Sequence, residues 1–154
     1  MHMERTIKIL MGLVAGVLMI FATSSCSKDE MNEKNIEGKW QSTNANHKEY
    51  EAGKLVYEES ETCIEWYIGL NFKSDGTGQA IEYEGGESDI TQITWVIMGE
   101  KLMITLLYEE GESHTTTFDI IQIESSSMTL SRTEEYTDDG VQYKYIVTYN
   151  FKKI

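Results

Sequence analysis

Ile64, Trp66, Ile68, Leu70 and Phe72 share one face of an extended chain and Cys63, Glu65, Tyr67, Gly69 and Asn71 the other, the period of two of a half-buried β-strand. The alternation returns in Ile93, Trp95 and Ile97, in Leu102, Ile104, Leu106 and Tyr108, and in His114, Thr116, Phe118 and Ile120. Met128 and Leu130 repeat it, and Val141, Tyr143, Tyr145, Val147, Tyr149 and Phe151 close the series. Turn chemistry separates the runs: Asp75-Gly76, Gly85-Gly86, Gly99-Glu100, Ser125-Ser126-Ser127 and Asp139-Gly140. The alternation breaks at Ile120-Ile121, which predicts a bulge. With a first strand at Lys39 to Asn44, this predicts an all-β fold, a small up-and-down antiparallel β-barrel of about eight strands. Closure removes the unpaired edges, and a barrel of that size has an interior just wide enough for side chains or one small ligand. Ala45 to Glu61, with Gly53 in it, fits a long first loop holding a small hairpin around Leu55 to Tyr57.

The N-terminal stretch has another character. Arg5 and Lys8 precede an uncharged, mostly apolar run of 14 residues, Ile9 to Ala22, the n-region and h-region of a secretory signal. The run is short of the roughly 20 residues that span a bilayer as a helix, so removal is expected rather than retention. Thr23-Ser24-Ser25-Cys26 resembles a bacterial lipobox, with Thr23 where a leucine is usual, and the resemblance implies a diacylated Cys26 as the new N-terminus. Ser27-Lys28-Asp29-Glu30 is similar to the export signal of Bacteroides-type surface lipoproteins. Together they imply a protein of the outer membrane, held by acyl chains on Cys26 and facing the cell exterior. Each buried methylene of such a chain contributes about 0.8 kcal/mol, and stable attachment takes more than one chain. The expected organisation is a signal peptide over 1–25, an acylated tether over 26–35 and one domain over 36–154.

From Cys26 onward 11 basic residues face 25 acidic ones, a net charge of −14. That charge argues against nucleic acid or an anionic membrane surface as partner, since both need a basic footprint. It favours cations or basic proteins, or serves as a coat that keeps the protein soluble. With Cys26 acylated, Cys63 has no partner for an internal disulfide, and stability rests on packing. About 120 residues after the tether suit one core.

The domain opens at Gly38-Lys39-Trp40. This entry, the hairpin Leu70-Asn71-Phe72-Lys73-Ser74-Asp75-Gly76-Thr77-Gly78, and Trp95 on a middle strand resemble the small lipocalin-like domains of Bacteroides-type lipoproteins. The resemblance covers Ile36 to Ile154. It implies a Trp that closes the base of the barrel and a first loop that lies over its mouth. A membrane-spanning barrel is the rival architecture, but Arg132 and Glu134 run in step with Leu130, and charges in a lipid-facing band are costly.

Few residues suggest chemistry. His47 and His114 sit in no zinc-binding arrangement and read as solvated. No nucleophile elbow occurs, and the acidic pairs lie mostly in or near turns, without the spacing of a calcium loop. Cys63 has no basic neighbour in sequence to activate it and reads as a small packed residue. No catalytic residue, metal site or cofactor is expected. Trp66, Trp95, Tyr143 and Tyr145 are the candidate ligand-binding residues, able to line an amphipathic cavity with phenol hydroxyls placing a ligand's polar atoms. The same residues could instead fill the barrel, which its small size favours. The expected function is binding of a small apolar ligand; the alternative is a non-enzymatic module with a packed interior that meets a protein partner at the cell surface.

Overall fold

Residues 32–154 are described in the computed structural model, the side chain of Glu110 excepted, and most of them lie in nine antiparallel strands. They are β1 (Gly38–Glu51), β2 (Lys54–Thr62), β3 (Trp66–Phe72), β4 (Thr77–Glu84), β5 (Glu87–Met98), β6 (Lys101–Leu107), β7 (Ser113–Ile123), β8 (Ser127–Asp138) and β9 (Val141–Lys153). The signal segment, Cys26 and Lys28-Asp29-Glu30 lie outside the described residues.

β3 to β9 pair in sequence order, β1 pairs with β3 through Gly38–Gln41, and β1 pairs with β9 from Trp40↔Lys153 to Glu51↔Tyr143. Eight strands thus close into a barrel, as the serial alternation predicts, and no edge is left around its lower half. The expected bulge is present: Ile120 pairs with Leu130 and Gln122 with Thr129, leaving Ile121 out of register. Asp75 Oδ1 accepts from the Thr77 amide at 2.9 Å and turns β3 into β4. Gly78 follows where only glycine fits, since a methyl there would run into the carbonyl of Asn71.

The inward faces carry the apolar stripes, the reverse of what a lipid-facing barrel needs. Trp40, Phe72, Ile93, Leu102, Met128 and Leu130 are almost wholly buried and pack the base, each contributing about 1.5–3 kcal/mol relative to exposure. Residues 32–36 are helical, and Ile36 is buried in the same core. Its carbonyl accepts from Trp40 Nε1 at 2.6 Å, while Lys153 Nζ donates to Asn35 O at 2.9 Å and sits 4.9 Å from the centre of the Trp40 ring. The stretch read as the end of a tether is therefore helical at 32–35.

The first strand and first loop differ from expectation. β1 does not stop at Asn44 but runs to Glu51, turns through Ala52-Gly53 and returns as β2, so Ala45 to Glu61 is a long hairpin rather than a loop. Its residues hid this because, Leu55-Val56-Tyr57 apart, they are mostly polar on both faces and beyond Ala45 bury little. The strands are held instead by main-chain pairing and by cross-strand contacts, Asn46 Nδ2 to Ser60 Oγ at 2.7 Å and Lys48 to Glu58 at 3.1 Å. β7 last pairs with β8 at Asp119↔Ser131, and β3 last pairs with β1 at Gln41↔Gly69. Beyond those points β8, β9, β1 and β2 pair only with one another, and this four-stranded sheet projects past the end of β3 at Trp66, while β7 continues to Ser113 paired with β6 alone.

Candidate functional site

The barrel is packed at its base and hollow above. Between Leu70 and Phe151 near the base and Glu82, Thr116 and Arg132 toward the rim lies a cavity of about 230 Å³. Its walls are mainly apolar, with Ile68, Ile104, Leu106, Phe118 and Tyr149 among them. Ala80 on β4 is too short to fill it. The question of a filled or hollow interior is thus resolved by height. A larger depression of about 420 Å³ lies on the projecting sheet, lined by Tyr50, Lys144 and Ile146, but these residues alternate with those of the barrel interior and lie on the outer face.

Above the cavity the register sets a polar rim. Val147 lines the cavity and pairs with His47; two residues farther out on the same faces, Tyr145 pairs with Glu49 and Glu134. His47 Nδ1 lies 2.6 Å from the Tyr145 hydroxyl, and its Nε2 lies 3.1 Å from Glu61 Oε1. Trp66 Nε1 donates to Glu61 Oε2 at 3.1 Å. Four side chains from the neighbouring strands β3, β2, β1 and β9 are thereby joined along one side of the mouth. Trp66 also borders an open depression of about 330 Å³ with Glu82 and Glu84, and Ile68 and Glu82 line both this depression and the cavity, so the two adjoin. Burial holds the Tyr145 phenol above its ordinary pKa, and the charges of Glu49 and Glu61 add to this. Tyr149, deeper, is raised mainly by burial. Both stay protonated at neutral pH, which suits hydrogen bonding rather than nucleophilic attack.

Of the four candidate residues, Trp66 and Tyr145 meet at the rim through Glu61 and His47. Tyr143 lies farther out on the projection, stacked on Tyr136 with ring centres 5.2 Å apart. Trp95 lies at the other end of the barrel: Nε1 donates to the carbonyls of Lys73 and Thr77, and the ring meets Phe72 edge-on at 5.4 Å. The length of β3, about 20 Å, separates it from Trp66. His47, expected to be solvated, is instead half-buried and held on both ring nitrogens, because β1 continues through it and turns it inward. Glu61, Glu82 and Arg132 went unnoticed as site residues. The available signal was their place in alternation with Cys63, Ala80 and Leu130. Cys63 is buried between β2 and β3, and burial pushes its thiol pKa up.

No family model and no curated protein matches the chain. Among solved structures it is similar to a lipocalin-like protein from Bacteroides uniformis, with 19% identity, 78% of this chain and 99% of that one covered, and a TM-score of 0.45. An uncharacterized protein from Bacteroides eggerthii aligns with 17% identity, coverage of 77% and 98%, and a TM-score of 0.45. A polyisoprenoid binding domain from Saccharophagus degradans, implicated in plant cell wall breakdown, aligns with 10% identity, coverage of 75% and 98%, and a TM-score of 0.34.

Proposed function

We propose that this protein is a surface-anchored lipoprotein whose barrel carries a small, mainly apolar ligand and performs no catalysis. The observation that supports it best is the apolar cavity in the upper half of the barrel, bordered by a rim of polar and aromatic side chains. A small ligand entering there exchanges water for the apolar walls, at about 25 cal/mol per Å² of apolar surface covered. The rim then orients its polar end. Anchoring follows from the lipobox resemblance at Cys26, and outer-membrane, outward-facing placement from Lys28-Asp29-Glu30.

Native mass spectrometry of protein purified gently from its own host, with tryptophan fluorescence recorded before and after organic extraction, tests the carrier. A co-purifying mass lost together with a fluorescence change supports it. A bare mass with unchanged fluorescence favours a second reading, a protein-interaction module. The projecting hairpin, where Leu55, Val56 and Tyr57 are exposed in succession, gives that reading its own support. Anchoring is checked separately: Cys26→Ala is expected to abolish labelled-palmitate incorporation and to release the protein from the membrane fraction.

A further inference from the structure

A ligand with its apolar end in the cavity has its polar end at the rim, and the rim offers acceptors. Glu61 is a carboxylate and only accepts, so His47 Nε2 carries a hydrogen; with Nδ1 bare, the ring accepts there the hydrogen of Tyr145. In that tautomer the one hydrogen of the Tyr145 phenol is spent, and its oxygen is left to accept. Strand register places more carboxylates on the inner face around the same mouth: Glu82 in the cavity wall, Glu84 opposite Trp66, Asp89 opposite Glu82, and Glu49 opposite Tyr145. Against them the cavity wall has one guanidinium, Arg132, whose Nη2 is paired with Glu134.

We propose that the cavity takes a cationic amphiphile, whose apolar chain enters between Ile68, Leu106 and Tyr149 and whose ammonium head is held at the rim by Tyr145, Glu61 and Glu82. This deepens the carrier reading and rests on it. An ammonium group donates three hydrogen bonds and accepts none, which complements a mouth rich in carboxylates and negative in charge. A carboxylate head of the same chain length meets donors in Arg132 and the hydroxyls of Thr116 and Tyr149, but is repelled by the more numerous carboxylates around the mouth. The raised phenol of Tyr145 agrees with this field, its causes after burial being the charges of Glu49 and Glu61.

The test is calorimetric titration of the full-length protein at neutral pH with octylammonium, octanol and octanoate, which share one chain and differ in the head. The expected result is octylammonium binding at least about tenfold tighter than octanoate, with octanol between them. Glu82→Gln, at an exposed position, and Glu61→Gln are each expected to cut that preference to about threefold. Octanoate binding as tightly as octylammonium, or a preference untouched in both variants, overturns the cationic head while leaving a carrier. Binding of none of the three removes the carrier reading and the proposal with it.

Discussion

Single residues in this barrel are constrained by what lies opposite them across the pleat. Gly78 faces the main chain of Asn71 so closely that a β-carbon has no room, and the Ile93 side chain crowds the same spot. Gly78→Ala is expected to cost about 1–3 kcal/mol, read as a lower urea midpoint with unchanged slope. Tyr149 is constrained electrostatically. Its pKa is raised in the fold above the ordinary phenol value of about 10, first by burial and then by the charge of Tyr145. The unfolded chain therefore ionises first as pH rises. The contribution of a neutral Tyr149 is fully present below about pH 10 and is lost as pH climbs through the folded value. Unfolding midpoints measured from pH 7 to 11 are expected to fall at the alkaline end, and less steeply in Tyr149→Phe. A fall of the same steepness in the variant would assign the effect to other groups, among them Cys63, whose raised thiol acts with the same sign from a lower starting point.

At the scale of elements, the hairpin β1–β2 is the least anchored piece. Every residue of β2 but Glu61 is exposed, and β2 pairs with β1 alone among the described strands. Its turn places Ala52 at φ 48° and Gly53 at φ 77°, the left-handed pair of a tight hairpin, and the alanine carries a steric cost that glycine or asparagine avoids. Ala52→Asn is expected to stabilise the hairpin by up to about 1 kcal/mol and to slow amide exchange in β2 relative to β6. Exchange in β2 that is unchanged would mean that the turn does not limit opening. The hairpin bears on function because Glu61 and His47 come from its two strands. Fraying there loosens the rim while the packed base of the barrel stays closed.

For the whole molecule, the division into a packed base and a hollow upper half makes binding and stability separable. The base holds Trp40, Phe72, Met128 and Leu130, and the cavity is bounded on β4 by the small Ala80. Ala80→Leu places a larger apolar side chain in that space, so ligand affinity is expected to drop by at least about tenfold while the thermal midpoint holds or rises. Equilibrium binding and calorimetry on the same preparation check both halves of the expectation. A variant that unfolds earlier would show that the space is not free to be filled.

Much of this architecture is legible in the chain itself. Strands that bury one face announce themselves by alternation, and Asp75-Gly76, Gly85-Gly86 and Asp139-Gly140 mark the reversals between them, so strand order and barrel class follow from local chemistry. β2 and the outer half of β1 were not legible, because a strand polar on both faces satisfies its main chain without leaving an apolar period. The candidate aromatic residues were chosen by type and face, but face alone says nothing about height along the barrel. Trp66 and Trp95 both lie on the apolar stripes of their strands and still sit at opposite ends. Height is set by register, and register depends on pairings between distant segments, such as Val147 with His47 and with Arg132. The union of Trp66, Glu61, His47 and Tyr145 across four strands is a product of closure, decided only when the last strand finds the first.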